Sequence, residues 1–319
     1  MSRRGRFRGP VEPSRFLGLA VAAVVALGLV VASGAFVRLT GSGLGCDNWP
    51  RCGSTPFPAQ DFHAIVEFGN RVVALGGILA ALVAWLAARR VADLDRRVRR
   101  AALGAFAGTV AQIPLGGLTV ILDLHPLAVM THFLLALVVV ALSVVVALEA
   151  WSHARGLGEP VAPRWLRLVA VVGVVACGAM VVTGAIATAS GPHPGADEDV
   201  ARLGLEISDT VYVHVRATAV FGIGFLLVGW QLLRVRRAVP GVLRLAGVLL
   251  AVLVAQMLVG EIQYRNALPW GLVLIHVTLA AAIWGLTVAT THALWRPPLA
   301  LLSTSAQTAP SVGEPLRSS

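Results

Sequence analysis

Apolar residues run in long blocks along this chain, and polar residues gather between the blocks. A membrane-crossing helix needs roughly 20 mainly apolar residues. Eight stretches meet that length, at about 16–37, 64–88, 101–122, 127–151, 165–188, 210–233, 242–262 and 271–295. The pattern predicts an all-α polytopic membrane protein with eight transmembrane helices. No stretch between the blocks is long enough for a separate soluble domain.

Laid over each other, the two halves of the chain match. Ala111-Gln112 with Gly116 recurs as Ala255-Gln256 with Gly260, an offset of 144; His132 plus 144 is His276, and Asn70 plus 144 is His214. Gly34-Ala35 recurs as Gly184-Ala185, and Gly41 as Gly191, both at an offset of 150. A shorter or longer first outer loop reconciles the two offsets. The expected organisation is therefore two pseudo-repeated four-helix bundles, over 16–151 and 165–295, joined by a linker over 152–164. A short segment, 1–15, precedes them, and a Ser-, Pro- and Thr-rich stretch over 296–319 is expected to be a disordered tail.

Charge orients this bundle. Residues Asp, Glu, Lys and Arg make up 13% of the chain, about half the share of a soluble domain. Arg3, Arg4, Arg6, Arg8 and Arg15 precede the first run; Arg89, Arg90, Arg96, Arg97, Arg99 and Arg100 follow the second. Arg155, Arg164 and Arg167 follow the fourth, and Arg234, Arg236, Arg237 and Arg244 the sixth. The linker after the fifth run is acidic, with Asp197, Glu198, Asp199, Glu206 and Asp209. By the positive-inside rule both termini are cytoplasmic and even-numbered helices start at the outer face. The net charge of +10 is thus spent on topology; a nucleic-acid partner would need a continuous basic face on a folded domain. The first run is longer than a signal-peptide core and no small-x-small site follows it, so it counts as a helix.

Ionisable residues inside a membrane are costly and point to function. His132, His214 and His276 each lie a turn or more inside the outer end of an even-numbered helix. His214 and His276 occupy repeat-related helices at similar depth, and two imidazoles facing each other across a bundle can take both axial positions of a haem iron. Zinc or copper would want further nitrogen, sulfur or oxygen ligands close by. The plainer alternative is that each histidine hydrogen-bonds to a neighbouring helix. In the first half the position matching His214 is Asn70, a poor iron ligand, so His132 lacks its expected partner; His63 and His125 are the nearby substitutes.

Glu67 stands three residues before Asn70, on nearly the same helical face. A carboxylate at that depth suits proton transfer, or it pairs with Arg71. Arg38, Arg71 and Arg216 sit near outer helix ends, where they can bind porphyrin propionates or extend to the surface. Cys46 and Cys52 share the first outer loop, an oxidising compartment that permits a disulfide; they are either a loop staple or a redox-active, haem-receiving pair. His193, in Ser190-Gly191-Pro192-His193, either contacts a propionate of the second-half haem or is a turn residue.

These residues resemble a known family. Val37-Arg38-Leu39-Thr40-Gly41-Ser42-Gly43-Leu44-Gly45-Cys46, continuing through Trp49-Pro50 to Cys52, looks like the first outer loop of haem A synthases. Glu67-Phe68-Gly69-Asn70-Arg71 is similar to that family's Glu-x-x-His-Arg motif. Gly116-Gly117-Leu118-Thr119-Val120, Leu124-His125-Pro126 with His132, Ser190 to His193 with His214, and Gln263-Tyr264, Leu268-Pro269 with His276 extend the likeness from about 16 to 295. The resemblance implies a bacterial plasma-membrane oxidoreductase that turns a methyl group of haem O into the formyl group of haem A for terminal oxidases. It also implies a haem b on His214 and His276; Arg216 and His193 are the candidates to stand beside it. The substrate haem is expected in the first half near Glu67, His132, Asn70, Arg71 and Arg38, and the cysteine pair carries over as Cys46 and Cys52. Asn70 departs from the family's histidine. A haem O-supplying enzyme and an electron-transfer partner are the implied associates. Two rival readings are a dihaem cytochrome b, which needs two saturated haems, and a carrier that delivers porphyrin unaltered.

Overall fold

A computed structural model describes residues 10–46, 49–54, 57–196 and 200–304. Arg3, Arg4, Arg6 and Arg8, the acidic Asp197, Glu198 and Asp199, and the chain from 305 onward lie outside the described residues. Eight helices follow in order: α1 (Pro13–Leu39), α2 (Phe62–Ala88), α3 (Arg96–Ile121), α4 (Pro126–Arg155), α5 (Arg164–Ser190), α6 (Ile207–Arg234), α7 (Pro240–Arg265) and α8 (Trp270–Trp295). Each is long and apolar enough to cross a membrane. Among the described residues there is no strand, only the isolated bridges Ser42–Ala196 and Leu157–Pro298. The chain is an all-helical, multi-pass membrane protein.

The helices outrun the apolar blocks because their polar ends are capped. α3 starts at Arg96, where the Asp95 carboxylate accepts from the Arg97 amide at 2.8 Å. The Asp61 carboxylate does the same for His63 and Ala64 at the head of α2, at 2.9 and 3.2 Å. α1, α4 and α7 open on a first-turn proline, which has no amide hydrogen to leave unpaired. α4 runs on to Arg155 and ends where Gly156 turns with φ at 96°.

Within the first half α1 packs on α2, α2 on α3, α3 on α4 and α4 back on α1; the second half repeats these neighbours as α5–α6, α6–α7, α7–α8 and α5–α8. Phe16, Ala88, Val98 and Val146 join the start of α1, end of α2, start of α3 and end of α4 in one cluster. Leu166, Leu232, Val242 and Leu294 do so for α5 to α8. Successive helices therefore alternate in direction, and the arginine blocks after α2, α4 and α6 share one side. The halves meet where α8 lies against α1 and α4, with Leu27, Val31, Val144 and Ala281 between them.

On the arginine-rich side the halves are also joined by polar groups. The buried Glu149 of α4 accepts from Arg296 through both oxygens, at 2.5 and 3.1 Å, and from His292 Nε2 at 3.0 Å. The hydrogen bond that Arg296 donates to Glu149 pushes the Arg296 pKa up. Glu149→Ala is expected to destabilise the protein by about 2 kcal/mol, read as a lower melting temperature in detergent. The cost stays below that of breaking a fully enclosed pair because the Arg296 side chain is 42% exposed. Beyond Arg296 the chain stays bound: the Gly158 amide donates to Pro297, Leu299 to Gly156 and Ser303 to Ala238, at 2.8–3.0 Å. The stretch expected as a disordered tail thus begins with an ordered segment, because Pro297, Pro298, Leu301 and Leu302 have apolar surface to bury.

Candidate functional site

Three imidazoles sit on three glycines. His132 on α4, His214 on α6 and His276 on α8 each lie in the second turn of their helix, and each ring rests on a glycine of the helix before it. A methyl group added at Gly116, Gly184 or Gly260 would come within 3.3, 2.9 or 3.1 Å of Cε1 of His132, His214 or His276. Only a residue without a side chain lets the ring lie against the neighbouring backbone. Asn70 of α2 breaks the pattern. Its Oδ1 accepts from the Ser33 hydroxyl at 2.7 Å, and the glycine one residue on, Gly34, faces open space.

His214 and His276 face each other with ring centroids 6.4 Å apart and planes at 72°. A metal–imidazole bond of about 2 Å on each side, with each nitrogen about 1 Å from its ring centre, requires about 6 Å. The Met180 carbonyl lies 3.0 Å from His214 Nδ1 and Thr183 Oγ1 lies 3.2 Å from it. A carbonyl only accepts, which assigns the proton to Nδ1 and leaves the Nε2 lone pair for a metal. The Nδ1 atoms of His132 and His276 are buried with no hydrogen-bond partner. Among the described residues no group of three His, Cys, Asp or Glu side chains could hold a bare ion. Two opposed imidazoles suit an iron that arrives with four equatorial nitrogens of its own, so the residues fit a haem.

The end of the first half away from the arginine-rich side carries the cysteine loop. Cys46 and Cys52 are disulfide-bonded. Glu67, 5% exposed, accepts from the Cys46 amide at 2.9 Å through Oε2 and pairs with Arg71 through Oε1. Arg71 in turn donates to the Pro50 and Arg51 carbonyls, both at 2.9 Å. The Trp49 ring lies against Gly117, one residue from the seat of His132. His63 Nδ1 meets the Ser42 hydroxyl at 2.9 Å in the same region, and His125 stands at the N-cap of α4.

The arginines are distributed differently from what motif position suggests. Arg38 leaves α1 for the second half, donating from Nε to the His193 carbonyl and from Nη2 to the Thr188 carbonyl, both at 3.1 Å. His193 donates from Nε2 to Leu268 at 2.7 Å, tying the loop after α5 to the one before α8. Arg216 is exposed and folds over the Tyr212 ring of its own helix. A cavity of about 490 Å³ opens between the halves, lined by Arg38, Phe62, His193 and Trp270 among others. Residues that motif reading passed over are Ser33 and Arg202; Trp49 stood in the loop motif without a role of its own. Arg202 also donates to the Thr188 carbonyl, at 3.3 Å; a lone arginine in an acidic loop was the available signal.

Comparison with known proteins gives one consistent picture. The chain is 40% identical over 159 residues to a haem A synthase of Symbiobacterium thermophilum, covering 47% of this chain and 51% of that protein. It is 29% identical over 123 residues to one of Bacillus licheniformis, covering 38% and 40%. It is 31% identical over 156 residues to a protohaem IX farnesyltransferase of Halobacterium salinarum, covering 48% and 32%. The chain therefore spans about half the length, or less, of these curated relatives. The family model for cytochrome oxidase assembly proteins, COX15-CtaA, runs much further, from residue 17 to 288. That span takes in both halves and all three seated histidines, and by it the chain belongs to the cytochrome oxidase assembly protein family.

Proposed function

We propose that the chain is a haem A synthase, oxidising the methyl group of haem O to the formyl group of haem A. The observation that carries the reading is the asymmetry between halves: an opposed pair, His214 and His276, in one and a lone seated His132 in the other. Haem b, held by His214 and His276, would supply a one-electron carrier. The substrate porphyrin takes the first half, with His132 as its one imidazole and Asn70 and Arg71 along α2. Asn70, engaged by Ser33, offers no second ligand, which leaves one face of the substrate iron open. A dihaem cytochrome needs both iron faces filled in both halves, so this asymmetry favours chemistry over simple electron relay. Glu67 is the buried carboxylate at this end of the first half, and we assign it the proton released as the methyl group is oxidised. The disulfide loop lies against it, with the Cys46 amide donating to its carboxylate. The arginine-rich side with both termini faces the cytoplasm of a bacterial cell, and haem O arrives from a separate enzyme.

The test is a pigment analysis of membranes expressing the chain together with a source of haem O. Haem A should appear with the native chain and vanish with His132→Ala. If haem O stays unchanged while haem b is bound, the electron-carrier or porphyrin-carrier reading replaces this one.

A further inference from the structure

Two guanidinium groups converge on one backbone oxygen. Arg38 and Arg202 both donate to the Thr188 carbonyl, at 3.1 and 3.3 Å, and Arg38 also donates to the His193 carbonyl. Among the described residues neither has a carboxylate partner. Two cations brought together repel, and a carbonyl dipole does not cancel their charge. Burial lowers the Arg202 pKa. Arg38 lines the 490 Å³ cavity, and Phe62 and Trp270 provide aromatic walls.

The position of this pair along the helices identifies its ligand. Thr188 lies four residues beyond Gly184, the seat of His214, which is about 6 Å along the helix. Trp270 lies six residues before His276, about 9 Å. The guanidiniums therefore stand outward of the facing imidazoles, by a distance comparable to the half-width of a porphyrin with its propionate arms. Arg216, the arginine nearest His214 in sequence, is turned onto Tyr212 instead.

We propose that Arg38 and Arg202 form a paired cradle for the carboxylates of the second-half porphyrin, with Arg38 contributed by the first half. The proposal rests on reading His214 and His276 as the ligands of a haem. Guanidinium groups suit it because each can hold a carboxylate through two parallel N–H bonds. One helix of the substrate half thereby helps to hold the cofactor of the other.

The measurement is an optical redox titration of haem bound to the full chain in detergent. Ferric haem carries one more positive charge than ferrous haem, so nearby cations favour reduction. Arg38→Gln and Arg202→Gln should each lower the midpoint potential, and the double variant should lower it further. Arg38→Lys keeps the charge and should return the potential toward the native value, which a purely structural clamp would not do. Arg265→Gln, an exposed arginine paired with Glu261, serves as the unaffected control. Haem retained with unchanged potential in both glutamine variants would overturn the cradle and leave the haem assignment standing. A native chain that binds no haem at all would remove the preceding reading, and this one with it.

Discussion

Replacing His276 with alanine is expected to strip the second half of its haem, seen as loss of the low-spin absorption bands and of haem in the purified protein. The expectation follows from the pair geometry. One ring 6.4 Å from its partner leaves room for one iron between them, and deleting either ring removes half of the axial ligation. His214 would remain, held by Met180 and Thr183, but one imidazole anchors a bis-ligated haem poorly. A loss of at least tenfold in affinity, about 1.4 kcal/mol, is the minimum consistent with the assignment. The helices themselves should survive, because the ring rests on Gly260 and its Nδ1 makes no hydrogen bond. An unaltered spectrum in purified, folded His276→Ala would remove His276 from the iron. His214→Ala should behave alike, whereas His132→Ala should keep the bands and lose only the formyl product.

Glu67→Gln is expected to stop haem A formation while leaving the second-half haem in place. A positioned acid or base contributes about 10²–10⁴ to a rate, and a loss in that range is predicted for the formyl product. Glu67 has a second task, however, since it joins the Cys46 amide to Arg71 and so fixes the disulfide loop. Glutamine keeps an oxygen for the Cys46 amide and loses the ion pair. Arg71→Gln removes the same pair and leaves the carboxylate. A much larger loss in Glu67→Gln than in Arg71→Gln assigns the carboxylate to the chemistry. Equal losses, together with faster reduction of the Cys46–Cys52 bond in both, would reduce Glu67 to a loop anchor.

The eight helices could be read from the apolar blocks because lipid leaves a chain few other ways to satisfy its backbone. Their ends could not. Arg96, Arg97, Arg99 and Arg100 are polar yet helical, since Asp95 caps the helix they open. The seated histidines were legible as His132, His214 and His276 from their shared depth and offset. Their glycine seats were only partly so: Gly116, Gly184 and Gly260 all appear among the matching positions, but nothing in a linear pattern says that a ring lies on them. Ser33 holding Asn70 was hidden for the same reason, being a contact across 37 positions. Arg38 illustrates the limit best. Its motif places it beside the first-half residues, while its side chain spans 155 positions to reach His193. Sequence proximity fixes which helix carries a residue and says little about which neighbour a long side chain reaches.

The ties between the halves bear on how anything can pass from one to the other. At one face Glu149 holds Arg296 and His292; at the other, the Gly43 amide donates to Gly195 at 2.7 Å beside the Ser42–Ala196 bridge. Fastenings at both ends oppose rocking of one bundle on the other. The spacing between His132 and the opposed pair is then a constant of the frame, set when the chain folds. Electrons crossing that gap would do so at a rate fixed by a rigid distance, and tempo would have to come from whatever delivers porphyrin and removes charge at the surface.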